Sequence, residues 1–259
     1  MRMMTYNIRH GLGMDGVLDL ERIARVITRE APDIVAIQEI DRFWSRSGGV
    51  DQPEHLARLL DMHWAFAPNL EMPPEHPATV PAHYGVAIMS RLPMVASRHV
   101  RYPVVGEWEP RGLLEAEVEY APGRVVSVFC THFQVDSAHD VPATLAQRTE
   151  QVAILNAQAK GAGEFVVMMG DFNAEPDSPE LAPLLGDDSG WQDAWSVAGG
   201  GDAGFTIPAA PDREAERRID YIIVTGGQHI SRCEVRVTEE TRLASDHFPV
   251  IAEIGPDIA

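Results

Sequence analysis

Apolar residues along this chain come in short runs of strand length, each closed by Gly, Pro, Asp or Asn, and only a few stretches carry the three-to-four-residue spacing of a helix. The runs at Met3–Ile8, Asp33–Ile37, 83–90, 95–104, 112–120, 124–131, Val166–Met169 and Ile219–Val224 read as strands. Those between 83 and 131 follow one another closely enough to suggest an antiparallel meander. Between Asp19 and Pro32 the period changes. Ile23, Val26 and Ile27 fall on one face and Arg22, Arg25 and Arg29 on the other, with Asp19 placed to cap a helix. A second helix is expected from Pro53 to Asp61, capped by Asp51, with Leu56, Leu59 and Leu60 turned to the core. A longer one is expected from Asp140 to Lys160, with Pro142 tolerated in its first turn and Gly161 ending it. A short one lies near 178–185. The proline-rich stretch Pro68–Pro81 reads as a surface loop, because proline removes amide donors, and Asp212–Arg218 reads as a solvated one.

Several strands end in residues that carry chemistry. Val166–Met169 runs through Gly170 into Asp171, which can take a proton or bind a hard cation, and Asn173, which can donate to an oxyanion. Open α/β sheets place their sites at such strand ends, although Gly-Asp-Phe-Asn also fits an ordinary turn. Asn7 and Arg9 close the first strand. Glu39 follows the second, where a buried carboxylate is costly without water or a cation to compensate it. His132 follows the run at 124–131, Asp220 opens Asp220–Val224, and Asp246 and His247 precede Phe248-Pro249-Val250. Taken singly, His132 fits a hydrogen-bonded strand-end histidine, Asn7 a turn former, and Asp246-His247 a turn before an edge strand. Taken together, residue types suited to phosphoester chemistry recur beside six apolar segments.

The ordered series Thr5-Tyr6-Asn7, Gln38-Glu39, Gly85-Val86-Ala87-Ile88-Met89-Ser90-Arg91, Thr131-His132, Gly170-Asp171-Phe172-Asn173, Ile219-Asp220-Tyr221 and Ser245-Asp246-His247-Phe248-Pro249-Val250 resembles the endonuclease/exonuclease/phosphatase superfamily, from Met1 to about Ile254. That superfamily includes deoxyribonuclease I, abasic-site endonucleases, neutral sphingomyelinases, inositol polyphosphate phosphatases and deadenylases. The resemblance implies an α/β fold, a four-layer sandwich of two mostly antiparallel or mixed sheets flanked by helices, and a divalent ion. By resemblance, Asp171 orients and deprotonates the attacking water, and Asn173 holds charge on a phosphorus-bound oxygen. His247 contacts the phosphate with Asp220 orienting it, and His132 is a second phosphate-side histidine that can donate to the leaving oxygen. Oxygen-rich ligands favour Mg²⁺ or Mn²⁺: Glu39 as principal ligand, Asn7 through its carbonyl oxygen, and Asp246 directly or through water. No Cys/His spacing suggests structural zinc. Arg9 and Arg111 are candidate substrate contacts, each equally readable as a partner for the excess acid. Arg9 and His132 depart from the abasic-site endonuclease pattern and bring the chain nearer to the deoxyribonuclease I and sphingomyelinase branches.

Composition narrows the partners. The 259 residues can form one substantial core, so a single catalytic domain spanning 1–259 is expected. The formal charge is −18, and Lys160 is the lone lysine. Nucleic-acid binders replace phosphate counterions with clustered Lys and Arg, so small phosphoesters are favoured over long polynucleotides. Arg9, Arg91, Arg111, Arg217 and Arg218 lie near the motifs and leave a local positive funnel open. Cys130 and Cys233 both fall in apolar strands and read as buried thiols. No stretch approaches the roughly 18 apolar residues of a membrane span, so a cytoplasmic chain is expected, or a secreted one whose leader has been removed; a monomer is expected as well. The leading reading is a divalent-metal-dependent phosphoesterase acting on a modest diester. A metal-dependent nuclease and a non-catalytic scaffold of the same fold are the alternatives. Specificity is assigned to loops at Pro68–Pro81, Arg42–Gln52, Gln134–Val141 and Gly199–Arg217.

Overall fold

The structure, a computed structural model, describes residues 1–74, 78–104, 106–136, 140–199, 201 and 203–255. Twelve strands among the described residues form two six-stranded sheets. The first contains β1 (Arg2–Asn7), β2 (Ile34–Arg42), β3 (His63–Met72), β4 (Ala82–Ser90), β11 (His229–Val235) and β12 (Val250–Gly255), in the order β11-β12-β1-β2-β4-β3. The second contains β5 (Met94–Arg101), β6 (Gly112–Ala121), β7 (Arg124–His132), β8 (Val166–Asp171), β9 (Trp191–Asp193) and β10 (Asp220–Thr225), in the order β5-β6-β7-β8-β10-β9. Helices α1 (Leu20–Glu30) and α2 (Gln52–Leu60) cover the outer face of the first sheet, and α3 (Val141–Lys160) that of the second.

Strand alternation builds these layers. In β8, Val167 and Met169 point between the sheets, where they meet Met3, Ala36, Val86 and Ile222, while Val166 and Met168 point outward to Val152 and Leu155 of α3. In β2, Ile34 and Ala36 face inward, and Val35 and Ile37 face Ile23 and Ile27 of α1. Each sheet contains one parallel pair at its centre, β1 with β2 and β7 with β8. A parallel pair brings two carboxyl ends to the same edge, so Asn7 and His132 emerge beside residues of the neighbouring strand.

The expected caps are in place. Asp19 accepts from the Arg22 amide, Asp51 from that of Glu54, and Asp140 from that of Ala143, each contact of a kind worth about 1 kcal/mol. Some expectations need correction. The meander comprises β5, β6 and β7 only, because β4 joins the other sheet. Pro68 to Met72 is strand, not loop: β3 lies at a sheet edge and its register shifts between Pro68 and Leu70, the kind of position where a strand tolerates proline. Residues 75–77 lie outside the described residues, as do 137–139, 200 and 202 of the other proposed specificity loops. Leu56 is buried, but Leu59 is exposed. Arg218 is not solvated: it is buried and paired with Asp193 at 2.8 Å. Both cysteines are buried and free. No helix of the described residues is long and apolar enough to cross a membrane.

Candidate active site

The site forms where the two sheets' edges meet, and strand register assembles half of it. His132 pairs with Asp171 across β7 and β8, and Asp171 pairs with Asp220 across β8 and β10, so three candidate residues occupy one row. Gly170 permits that row. A Cβ there would lie 2.0 Å from the Thr131 carbonyl oxygen, and β7 and β8 could not approach as they do. From the other sheet, β1 delivers Asn7, whose Nδ2 donates to Glu39 Oε1 at 3.0 Å and to Asp171 Oδ2 at 3.1 Å. One amide therefore ties the two sheets' carboxylates together.

Glu39 reaches this edge through a bulge. The alternation of Val35 to Gln38 would send the next side chain to the helix-covered face. Instead the β2–β4 register shifts between Gln38 and Ile40, and Glu39 adopts φ 56°. Such bulges re-aim side chains beside active sites. Arg9, His10 and Asn173 also have φ between 44° and 50°, so backbone strain collects around this edge, as it does at functional sites. Burial raises the pKa of Glu39, with Asp246 adding to the rise and Asn7, His247 and Arg111 opposing it.

Asp171 is the hub. Its Oδ1 accepts from the Asn173 amide at 2.9 Å, and its Oδ2 lies 3.4 Å from His132 Nε2 and 3.6 Å from His247 Nε2. Burial pushes its pKa up to about 7 against the opposing pull of His247. His247 donates through Nδ1 to Asp220 Oδ2 at 2.9 Å. Burial alone would lower the His247 pKa, but Asp220 and Asp171 overcome that and push it up to about 10. His132 behaves oppositely. Its Nδ1 accepts from Arg111 Nη1 at 2.7 Å, and burial, then Arg111 and His247, hold its pKa well below the ordinary histidine value.

Every candidate residue is thus located, and not all sit as the residues alone suggested. Asn7 does not turn its carbonyl oxygen toward Glu39, because Oδ1 accepts from the Arg9 amide while Nδ2 serves the two carboxylates. Asn173 donates through Nδ2 to the Phe133 carbonyl at 3.0 Å. Asp246 stays partly exposed, 3.7 Å from Arg9 Nε, and Ser245 fixes its segment by donating to the Asn7 carbonyl at 2.7 Å. Arg111 is buried behind His132, with Glu109 at 3.0 Å on its other side. Sequence reasoning missed Tyr84, which is buried and interacts with Arg111 and Glu39, and the pairing of Arg46 with the buried Asp41 at 2.8 Å, where Arg46 also lies over the Trp44 ring. The Arg42–Gln52 loop contained the signal for Arg46. Tyr84 carried none beyond its place before Gly85.

The donor set suits a hard cation around Glu39. Glu39 is partly buried and its carboxylate accepts from the Asn7 amide, and the partly exposed Asp246 adds a second negative charge that acts on it. Asp171, Asp220 and His247 also bring ligand atoms within 4.8 Å of one another. That trio is better described as an ion-paired dyad beside a base, since an imidazolium has no free lone pair to give a metal.

A sequence profile of the Endonuclease/Exonuclease/phosphatase family matches residues 4–247. The chain belongs to that family. Among solved structures, this family member resembles the endonuclease/exonuclease/phosphatase from Beutenbergia cavernae (28% identity, TM-score 0.76, covering 98% of this chain and 71% of that one). It also resembles the endonuclease/exonuclease/phosphatase from Bacteroides vulgatus (20% identity, TM-score 0.76, covering 99% and 98%). The inositol phosphosphingolipids phospholipase C of Schizosaccharomyces pombe is 27% identical over 104 residues. That alignment takes in 36% of this chain and 24% of that protein, so the match spans about a quarter of the relative's length. The two six-stranded mixed sheets flanked by helices are the fold of this family.

Proposed function

We propose that the protein is a divalent-metal-dependent phosphoesterase that hydrolyses a phosphodiester of modest size by in-line attack of water. The observation that carries the reading is the convergence of two histidines of opposite charge state on the single carboxylate Asp171. A base poised near neutrality, flanked by one cationic and one neutral donor, suits deprotonation of water beside an anionic phosphoryl group.

In this reading Asp171 takes the proton of the attacking water as the new oxygen–phosphorus bond forms and the bond to the leaving oxygen breaks. The His247 imidazolium, held by Asp220, offsets charge on the phosphoryl group. Asn173 offers its second amide N–H as a hydrogen bond to a phosphoryl oxygen, and neutral His132 offers its Nε2–H in the same way; an imidazole in that state cannot protonate the leaving oxygen, which departs as an anion and takes its proton from solvent. Glu39 and Asp246 would hold Mg²⁺ or Mn²⁺, with Asn7 fixing the Glu39 carboxylate. The ion, when bound, neutralises a phosphoryl oxygen. Arg9, on the rim beside Asp246, is the arginine placed to meet substrate.

Preference for a small diester rests on charge. Arg9, Arg46, Arg111, Arg217 and Arg218 each face a carboxylate within 4.0 Å, so the arginines near the site have little charge left for a polyanionic strand. The match to a phospholipase C agrees with a diester substrate. A panel of bis-p-nitrophenyl phosphate, a monoester, plasmid DNA, RNA and sphingomyelin with Mg²⁺ or Mn²⁺ tests the reading. Hydrolysis of a small diester that EDTA abolishes is expected; inactivity on every phosphoester would remove the proposal.

A further inference from the structure

The geometry assigns to Arg111 a positioning role: by donating to Nδ1 of His132 it fixes that imidazole as the Nε2–H tautomer and makes it a neutral hydrogen-bond donor to the phosphoryl group. The part of this inference that concerns substrate rests on the phosphoesterase reading. The tautomer itself does not.

A guanidinium has donors only and keeps its charge in proteins. At 2.7 Å from Arg111 Nη1, His132 Nδ1 must therefore present its lone pair. The imidazole proton then resides on Nε2, which faces Asp171 Oδ2 at 3.4 Å. Both side chains are buried, so a second proton on the ring would set two cations in contact away from water, an expensive arrangement. The surrounding charges reinforce this. Arg111 and the imidazolium of His247 oppose protonation of His132, and Asp171 is the carboxylate in contact that favours it. Burial and the two cations prevail.

Arg111 is itself held in place. Glu109 takes its Nη2 at 3.0 Å, and Tyr84 interacts with it from β4. The next residue, Gly112, presses against a part-buried pair in which His99 Nε2 meets Asn69 Oδ1 at 3.0 Å. A Cβ at Gly112 would come within 2.6 Å of that Asn69 oxygen and 2.9 Å of His99 Nε2, so the backbone carrying Arg111 sits tightly in the sheet. A side chain only 6% exposed and committed to His132 and Glu109 acts through His132 and does not reach out to a phosphate.

The arrangement inverts that of His247. An anion on Nδ1 makes His247 a cation, and a cation on Nδ1 keeps His132 neutral while polarising its Nε2–H. Asp171 therefore lies between one charged and one uncharged donor. Two imidazoliums there would hold it as an ion pair too stable to accept the proton of water.

The test is long-range ¹H–¹⁵N correlation on histidine-labelled protein without substrate, which reads the protonation of each ring nitrogen. We expect His132 to show bare Nδ1 and protonated Nε2, unchanged as pH falls through the region where an ordinary histidine takes up its second proton. An Nδ1–H tautomer, or titration near 6.5, overturns the assignment in the wild-type protein alone. Arg111→Met should let His132 titrate at higher pH and lower kcat about a hundredfold, in the manner of lost outer-shell partners, with KM nearly unchanged; Arg111→Lys should recover part of kcat. A raised KM at unchanged kcat would instead make Arg111 a substrate contact and overturn the proposal. Wild-type protein that shows the Nε2–H tautomer yet hydrolyses no phosphoester removes the functional reading and leaves the pairing of Arg111 with His132 standing.

Discussion

Asp171 and Asp220 face one another as a register pair across β8 and β10, and His247 spans them, 2.9 Å from Asp220 Oδ2 and 3.6 Å from Asp171 Oδ2. The Asp220 charge raises the cost of ionising Asp171, and the imidazolium between them offsets it. Asp220 gives His247 its charge, and His247 limits how far the Asp171 pKa rises. The dyad and the base therefore form one electrostatic unit.

It follows that Asp220→Asn should damage the site as severely as loss of the histidine. The isosteric amide can keep the contact but not the charge, and it can accept or donate, so the His247 tautomer is no longer fixed. Turnover should fall by about 10²–10⁴-fold, the range for a lost acid–base partner. His247→Ala should cost a similar factor, and the double variant little more, because residues acting as a unit are not additive. Steady-state kinetics beside circular dichroism checks this. Additive losses would separate the two residues.

The pH dependence follows with its sign. A base must be ionised to act, so activity should rise with pH as Asp171 loses its proton about 7, and fall again as His247 loses its own about 10. A bound divalent ion draws the lower limb to more acidic pH, because nearby positive charge favours the carboxylate. In Asp220→Asn the upper limb should move to lower pH, since the largest charge holding the imidazolium is gone. Profiles of kcat/KM measured at several Mn²⁺ concentrations test both statements; an upper limb unmoved in Asp220→Asn would sink the assignment to His247.

The charge distribution yields a prediction about partners. With a formal charge of −18, and Arg9, Arg111, Arg217 and Arg218 each facing an acid among the described residues, duplex DNA meets few free cations beside the site with which to release counterions. Electrophoretic mobility shift at low salt, where such binding is strongest, should show no complex at protein concentrations that hydrolyse bis-p-nitrophenyl phosphate readily. A shifted band that disappears with added salt would show that a basic track exists after all.

Much of this site was legible before folding, and the reason is periodicity. Asn7, His132, Asp171 and Asp220 sit at the ends of short apolar runs, and runs of that kind pair in register, so a polar residue at each terminus arrives at a common edge. What alternation cannot convey is where it fails. Glu39 points to the edge because its φ of 56° breaks the period of β2, and nothing in Gln38-Glu39-Ile40 announces a left-handed residue. Pro68 hid a strand, because proline is excluded from a sheet's interior but tolerated at an edge bulge. Arg111 reads the same in sequence whether it ends on the rim or beneath a histidine. Its burial is decided by the β7 row beside it and by Tyr84 from the other sheet, contacts distant in the chain.

Glu39 offers the sharpest test of a cation at this edge. Burial raises its folded pKa above the ordinary 4.5, so the folded state holds that proton more tightly than the unfolded chain does. The ionised side chain therefore costs nothing below 4.5, and its cost grows as pH rises from there toward the folded value and persists at neutral pH. In EDTA, Glu39→Gln should be more stable than wild type at neutral pH, by about 1–3 kcal/mol if the penalty resembles that of other poorly compensated buried groups. The two should converge in acid. Added Mg²⁺ or Mn²⁺ should reverse the order, because an ion that binds only the folded state stabilises it in proportion to its affinity, and the neutral amide of the variant is no anionic ligand. Thermal melts across pH with and without the ion decide the matter. Equal metal-induced stabilisation of Glu39→Gln and wild type would place the cation elsewhere in the molecule.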